Sequence, residues 1–391
     1  MPATIIDGAA LANRTKADVA RRVAELAALG RRVHLTAILV GSTPAGEMYA
    51  QRQGESCRAV GIDYELRKLP ADSDPKSVAQ TIHALNRDPS VTGIMLHLPL
   101  PKHLDETEMQ YQIDPLKDVE GVNPANIGYV VYRHTLIAPC TALSAVELIK
   151  STGVPIRGAD ACVVGASAIA GKPAALLLTE EMATVTLCHI ATRDLAAHTR
   201  RADIVVVAVG KPNLIGAEHV RDGAVVIDIG INRVTLPDGT KKTVGDVDFE
   251  AVKEKAGHLT PVPGGVGPMT VAMLLQNTLR SAELVSGVDL DDDAVPASTQ
   301  DCPALPLTYM RHSDLREFLR TTLRRDQAMP IAGVYAKVLE KFGPGGCKPE
   351  QLCPQYKTTH PEFRHIVRLA LWDGQRAGEF TRAGRGNWKH A

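Results

Sequence analysis

Tyr49 and Gln53 stand four residues apart, one helical turn, so a helix there turns both to one side. The chain order places them near His97-Leu-Pro-Leu-Pro101. Gln53 carries an amide, which does not titrate; it can orient a water but cannot take its proton. His97 has an ordinary pKa of about 6.5, which suits a general base, and Glu120 could orient it. A hydrogen-bonded structural histidine is the competing reading of His97 and the favoured one. Glu120 itself lies in a polar loop, Asp118-Val-Glu-Gly121, followed by Asn123-Pro-Ala-Asn126.

A second constellation is backbone rather than side chain. Thr260-Pro-Val-Pro-Gly-Gly-Val-Gly-Pro-Met-Thr270 is too rich in proline and glycine for a helix or an inner strand. It predicts a rigid loop whose glycines let a ligand approach the backbone. Val271–Leu279 has a helical pattern, so the loop opens a helix N-terminus, a favourable place for a flat polar ligand. A third is Ala161-Cys-Val-Val-Gly165 running into Ala166-Ser-Ala-Ile-Ala-Gly-Lys-Pro173, a strand, a turn and a helix. Only Gly165 and Gly171 flank the turn, short of the full three-glycine dinucleotide fingerprint, and such turns are often mere tight connections.

The elements that must hold these groups alternate. A helix over 9–29 precedes strand 34–40, helix 47–60, strand 64–69, helix 75–86 and strand 93–98. A second unit begins near Pro139, with strands 161–165, 185–188, 204–209 and 224–229 and a helix over 174–181. This order predicts an α/β protein with mainly parallel sheets covered on both faces and ligands beyond the carboxyl ends of the strands.

At 391 residues the chain exceeds one ordinary core, and two or three domains are expected. Formal net charge is zero, so the whole chain carries no nucleic-acid or membrane signal. Residues 310–391, however, hold 15 Lys and Arg against 8 Asp and Glu, which marks a separate basic module. Seven scattered cysteines point to a reduced, intracellular protein. The N-terminus lacks the basic region and apolar run of a signal peptide, and no apolar run reaches membrane-spanning length.

With these pieces in order the chain resembles the FolD family, methylenetetrahydrofolate dehydrogenase/cyclohydrolase, over roughly residues 2–287. The resemblance rests on Leu39-Val-Gly41 with Pro44-Ala45 and Tyr49, Leu98-Pro-Leu-Pro101, Asp118-Val-Glu-Gly121 and Pro139-Cys-Thr141. It continues through Val163-Val-Gly165, Ser167, Gly171-Lys-Pro173, Ala202–Asn213, Ile227-Asp-Ile-Gly-Ile-Asn-Arg233, Gly245-Asp-Val247 and the Pro/Gly loop. It implies a folate domain at 1–140 and 270–287, a Rossmann-type nucleotide domain at 141–269, a cleft between them, and a cytoplasmic homodimer formed through the nucleotide domain. Hydride would pass from 5,10-methylenetetrahydrofolate to NADP or NAD, and water would open the methenyl product to 10-formyltetrahydrofolate. Tyr49 corresponds to the tyrosine that stacks on the folate. Gln53, Leu96, His97, Leu98 and Pro263, Gly264, Gly265, Val266, Gly267 fall at substrate-binding positions, with Tyr49, Gln53, His97 and Glu120 at the reacting centre. Gly165, Ala166, Ser167, Ile190 and Ile231 fall at nucleotide positions. No metal is assigned.

The departures from the family pattern fall on the chemistry. Gln53 replaces the lysine essential to the cyclohydrolase step, His97 a glutamine, Glu120 an aspartate and Gly46 a serine. Pro-Cys-Thr-Pro-x-Gly reads Pro139-Cys-Thr-Ala-Leu-Ser144. In the nucleotide site Ala166 and Ala191 replace basic residues beside the adenosine 2′-phosphate, which predicts weak NADP discrimination or NAD use; Arg193 could substitute. The expectation is a dehydrogenase with little cyclohydrolase activity, since hydride transfer depends mainly on holding the reacting carbons in place. A hydrolase rewired through His97 and a non-catalytic folate- or nucleotide-binding regulator are the alternatives.

Residues 288–309 read as a solvated linker, rich in Asp and Pro. Helices over 313–325, 331–342 and 361–378 and a hairpin over 379–389 turning at Gly384–Gly386 are similar to a winged-helix fold, placed at 310–391. Its basic balance permits nucleic-acid contact through Arg364, Arg368, Arg382 and Arg385, with an ordinary solvated basic face the favoured alternative. Cys347, Cys353, His360 and His365 do not match the spacing of a standard zinc finger.

Overall fold

In the computed structural model the described residues are 2–132, 135–235, 239–286, 318–323, 329–330, 337, 380–382 and 387–390. The chain divides into two compact units, Met1–Val288 and Asp289–Ala391.

The first unit opens with strand β1 (Thr4–Ile5) and helix α1 (Gly8–Ala28), whose N-cap Asp7 accepts from the Ala10 amide. A βαβαβ run follows: β2 (His34–Val40), α2 (Pro44–Ala59), β3 (Asp63–Leu69), α3 (Pro75–Arg87) and β4 (Gly93–Leu96). These strands form a parallel sheet in the order β3-β2-β4. Helix α2 starts three residues earlier than the sequence pattern suggests. Thr43 caps it by accepting from Gly46 N, and Pro44 occupies the first helical position, where its missing N–H costs nothing. Short helices α4 (Glu106–Tyr111) and α5 (Pro124–Val131) lead to α6 (Cys140–Ser151).

The second layer contains β5 (Asp160–Val164), α7 (Gly171–Glu180), β6 (Thr184–Cys188), α8 (Leu195–Thr199), β7 (Ile204–Val207) and β8 (Val225–Asp228). A hairpin, β9 (Asn232–Thr235) with β10 (Lys241–Val244), then α9 (Phe249–Lys253), β11 (His258–Leu259) and α10 (Val266–Ser286) complete the unit. Six strands pair in parallel in the order β1-β11-β8-β7-β5-β6, so the N-terminal strand adds an edge to this sheet. The order reverses at β5, which has β6 on one side and β7 on the other, the switch point where ligands bind in such sheets. Every residue of β7 and the valines and Ile227 of β8 are fully buried, each aliphatic side chain contributing roughly 1.5–3 kcal/mol.

Helix α10 ties the layers together. It packs on α1 and α6 and reaches the β3-β2-β4 sheet, and a buried ion pair joins Arg22 of α1 to Glu283. The helix begins at Val266, five residues earlier than the sequence pattern predicts. Gly267, Pro268, Met269 and Thr270 therefore form its first turn, where a proline lacks no needed donor.

In the second unit residues 318–322 are helical, within the helix expected over 313–325, and residue 337 is helical within that expected over 331–342. Strands Met329–Pro330, Phe380–Arg382 and Asn387–His390 form an antiparallel sheet with the last strand central. The terminal hairpin pairs as expected, whereas strand Met329–Pro330 has no sequence signal. The linker at 288–309, the helix at 361–378, Arg364, Arg368, Arg385 and the Cys347, Cys353, His360, His365 group lie outside the described residues.

Candidate active site

Tyr49 on α2 and His97, the residue after β4, meet edge to face, with ring centroids 5.6 Å apart at 88°. Tyr49 remains 51% exposed, so one face of its ring is open to a ligand. His97 is buried, its amide donates to Ile38 O, and burial pulls its pKa down to about 4. Its Nε2 is buried without a hydrogen-bond partner. Burial thus keeps the ring neutral at physiological pH. Among the described residues no hydrogen bond joins it to Glu120.

Glu120 is half-exposed, but its carboxyl sits where protein strips away water and beside Asp118; together these push it up to about 8. Its charge is felt at Tyr49 and Cys140, which places the three around one space. Asp118 is buried, and accepts from Gly121 N, Asn123 N and Asn126 Nδ2 at 3.2, 2.7 and 3.1 Å. These bonds fix the loop that carries Glu120. Gly121 has φ +72°, and a Cβ there would lie 2.3 Å from the Ala138 carbonyl carbon, so only glycine fits. Asn277 of α10 donates to Val119 O and Ala138 O, both at 2.9 Å, and locks this loop against the Pro139-Cys140 segment.

Gln53 is buried at the same end of the sheet. Its Oε1 accepts from Tyr64 Oη at 3.2 Å, and its Nε2 contacts Met95 Sδ. The amide is held by protein on both sides. Gly54 makes this arrangement fit: a Cβ there would be 2.8 Å from the Tyr64 ring. Tyr64 and Met95 escaped the sequence reading because each sits in an ordinary strand alternation. Leu96 is buried, while Leu98 is exposed in a loop with a cis bond to Pro99. The Pro/Gly loop likewise contains a cis Val262–Pro263 bond. Gly265 packs so closely that a Cβ on Gly8 would lie 1.9 Å from its carbonyl oxygen, whereas Gly267 faces open space.

On the nucleotide side Gly165 has φ +113°, and a Cβ would stand 2.1 Å from Ala208 O. A Cβ on Gly171 would stand 1.8 Å from Gly165 O, so both positions of this turn require glycine. Ser167 Oγ accepts from Ala170 N and Gly171 N and caps α7. The cradle thus presents bare backbone at a helix N-terminus, as a dinucleotide pyrophosphate requires. Ala166 borders it; Ile190 after β6 and Ile231 after β8 are fully and largely exposed at the same sheet end. The loop bearing Ile190 is folded on itself, with His189 N donating to Thr192 Oγ1 and Ala191 N to His189 Nδ1. Among the described residues no group of three His, Cys, Asp or Glu could hold a metal ion, and no helix is long and apolar enough to cross a membrane.

A two-layer α/β unit with a glycine cradle at its switch point, and a half-exposed tyrosine against a buried histidine, has the layout of a nucleotide-dependent enzyme of small-molecule metabolism. Residues 6–120 match the family model for the tetrahydrofolate dehydrogenase/cyclohydrolase catalytic domain, and residues 139–286 match that for its NAD(P)-binding domain. The chain belongs to this family. It is 49% identical over 280 residues to the bifunctional protein FolD of Nautilia profundicola, covering 72% of this chain and 97% of the relative. Against FolD of Cupriavidus necator it is 49% identical over 287 residues, covering 73% and 100%. The crystal structure of FolD from Campylobacter jejuni superposes with TM-score 0.68 and 40% identity, covering 72% of this chain and 99% of that one. FolD from Trypanosoma brucei, solved with NADP and an inhibitor, gives 0.68 and 37%, covering 73% and 98%.

Proposed function

We propose that this chain oxidises 5,10-methylenetetrahydrofolate to 5,10-methenyltetrahydrofolate with a nicotinamide nucleotide, and hydrolyses the product poorly. The nucleotide supplies a hydride acceptor when bound. Tyr49, braced from the side by His97, offers its open face to the pterin. Glu120, protonated at neutral pH, offers a hydrogen-bond donor beside that face. Pro263–Gly267 line the side where the two molecules meet, and hydride transfer follows from holding donor and acceptor carbons together. No proton need be moved by the protein in that step.

Hydrolysis does need one moved. The observation that carries the loss of this half is the Gln53 amide, clamped between Tyr64 and Met95 at the position of the family lysine. It has no titratable proton. His97, with its pKa near 4, is a weak base for the task.

Ala166 and the exposed Ile190 leave no cation of their own for a 2′-phosphate, which supports NAD use or weak discrimination. Self-association through the nucleotide domain is supported by β6, an edge strand carrying exposed Leu187, with Met182 exposed just before it. Buried free thiols at Cys57, Cys140, Cys162 and Cys188 suit a reducing cytoplasm. Purified protein given methylenetetrahydrofolate with NAD or NADP should form the methenyl chromophore. No turnover with either nucleotide, despite binding of a folate analogue, would favour the regulator instead.

A further inference from the structure

Two motifs of the sequence, Ile227-Asp-Ile-Gly-Ile-Asn-Arg233 and Gly245-Asp-Val247, have no role in the account so far. In the fold they meet. Asp246 is fully buried; its Oδ2 accepts from Val209 N at 2.7 Å and Gly210 N at 2.9 Å, and its Oδ1 accepts from Asn232 Nδ2 at 2.8 Å. Asp228 is buried beside it. Its Oδ1 accepts from Gly230 N at 2.9 Å and Asp246 N at 3.0 Å, and its Oδ2 from Val247 N at 2.9 Å. The Asp228 amide in turn donates to Thr260 Oγ1, at the start of the Pro/Gly loop. Glycines make the approach fit: a Cβ on Gly245 would lie 1.8 Å from Asp228 Oδ2, and one on Gly230 would lie 2.2 Å from Asp246 Cγ.

The segments so held are those that wall the nucleotide cradle. Val209–Gly210 leave the carboxyl end of β7, directly after Ala208, whose carbonyl lies against the Gly165 turn. Gly230–Asn232 leave the carboxyl end of β8 and bracket exposed Ile231. Buried carboxylates need this many donors to remain ionised, and a carboxylate that accepts from backbone fixes loops more firmly than water could. Burial, and less strongly the neighbouring Asp246 charge, lift Asp228 to about 6 against the pull of its three backbone donors.

We infer that Asp246 and Asp228 are positioning residues which hold the two loops after β7 and β8 in the shape that accepts the nicotinamide end of the nucleotide. This rests on the nucleotide-dependent reading above. Asp228 acts through backbone amides, and Asp246 through two backbone amides and the Asn232 side chain.

The test compares wild type, Asp246→Asn, Asn232→Ala and the exchange Asp246→Asn with Asn232→Asp, by steady-state kinetics and by calorimetric titration with NAD and NADP. An amide at 246 can still accept from Val209 and Gly210 through its oxygen while Asn232 turns its own oxygen to the new NH2, so Asp246→Asn removes the charge and the charge-assisted bonds rather than the pairing. The expected result is a rise of about 10- to 100-fold in nucleotide KM and Kd for Asp246→Asn, with folate KM within about twofold. Asn232→Ala should show a smaller rise of the same kind. The exchange returns a carboxylate to the 232–246 pair, which again accepts a charge-assisted bond, and should recover part of the loss. Unchanged nucleotide KM and Kd in a folded Asp246→Asn protein overturns the inference, as does equal loss of folate and nucleotide binding in Asn232→Ala. A failed exchange in a folded protein also counts against it. A wild type that binds neither nucleotide defeats the functional reading instead, and is distinguished by that control.

Discussion

Replacing Gln53 by lysine asks directly whether one side chain separates the two activities. The side chain is buried, and its oxygen is the acceptor for Tyr64 Oη. A lysine cannot accept, so the part-buried Tyr64 hydroxyl loses the acceptor for its proton and can only receive from the ammonium; losing such a bond costs about 0.5–1.5 kcal/mol. For a unit of this size that lowers Tm by about 2–4 °C per kcal/mol. In return, desolvation pulls the new ammonium pKa down towards the range where a lysine shuttles protons. General base catalysis contributes about 10²- to 10⁴-fold. Gln53→Lys should therefore speed decay of the methenyl chromophore by at least about 100-fold, while the rate of its formation changes by less than about threefold. Stopped-flow absorbance follows both phases in one trace. The reasoning is refuted if wild type already hydrolyses as fast as Gln53→Lys, or if a folded Gln53→Lys protein hydrolyses no faster.

Three further outcomes follow from the same geometry. Glu120 has its folded pKa raised from 4.5 to about 8; its contribution to stability is complete below about 4.5 and is lost as pH rises through 8. Thermal melts should therefore show Tm falling between about pH 5 and 8 and levelling off above it, with a shallower slope in Glu120→Gln. Ala166→Arg restores a cation near the 2′-phosphate position and should raise the NADP/NAD ratio of kcat/KM about tenfold or more. Truncation after Val288 removes the second unit, which lies beyond the matched residues 6–120 and 139–286. Methenyl formation by the truncated protein should stay within about twofold of the full chain, since the matched segments carry every site residue.

Much of this arrangement was legible in the sequence, and the rest was not for local physical reasons. Strands such as Ile204–Val207 are all aliphatic because helices cover both faces, so period and length identify them. Gly165 and Gly171 could be read as a cradle, although only the 1.8 and 2.1 Å approaches show why each must be glycine. The start of α10 was misjudged because proline in a first turn looks like a breaker. A buried imidazole normally finds hydrogen bonds, so nothing in the sequence marks His97 Nε2 as lacking a partner. The Tyr64–Gln53 bond pairs a strand with a helix, and no spacing rule connects them. Asp228 and Asp246 were quoted only as letters of motifs, since bonds to backbone amides leave no trace in side-chain pattern.

The central claim is that the recess holds a folate against a nicotinamide without a group able to hydrolyse the product. A single-turnover experiment with enzyme in excess over methylenetetrahydrofolate, in saturating NAD or NADP and a buffer that does not itself catalyse hydrolysis, tests it most directly. The account predicts a methenyl absorbance that rises to the full substrate concentration and persists at the uncatalysed rate. An absorbance that never accumulates because 10-formyltetrahydrofolate forms as fast as substrate is oxidised would contradict it, as would the absence of any methenyl signal from protein shown to bind both ligands.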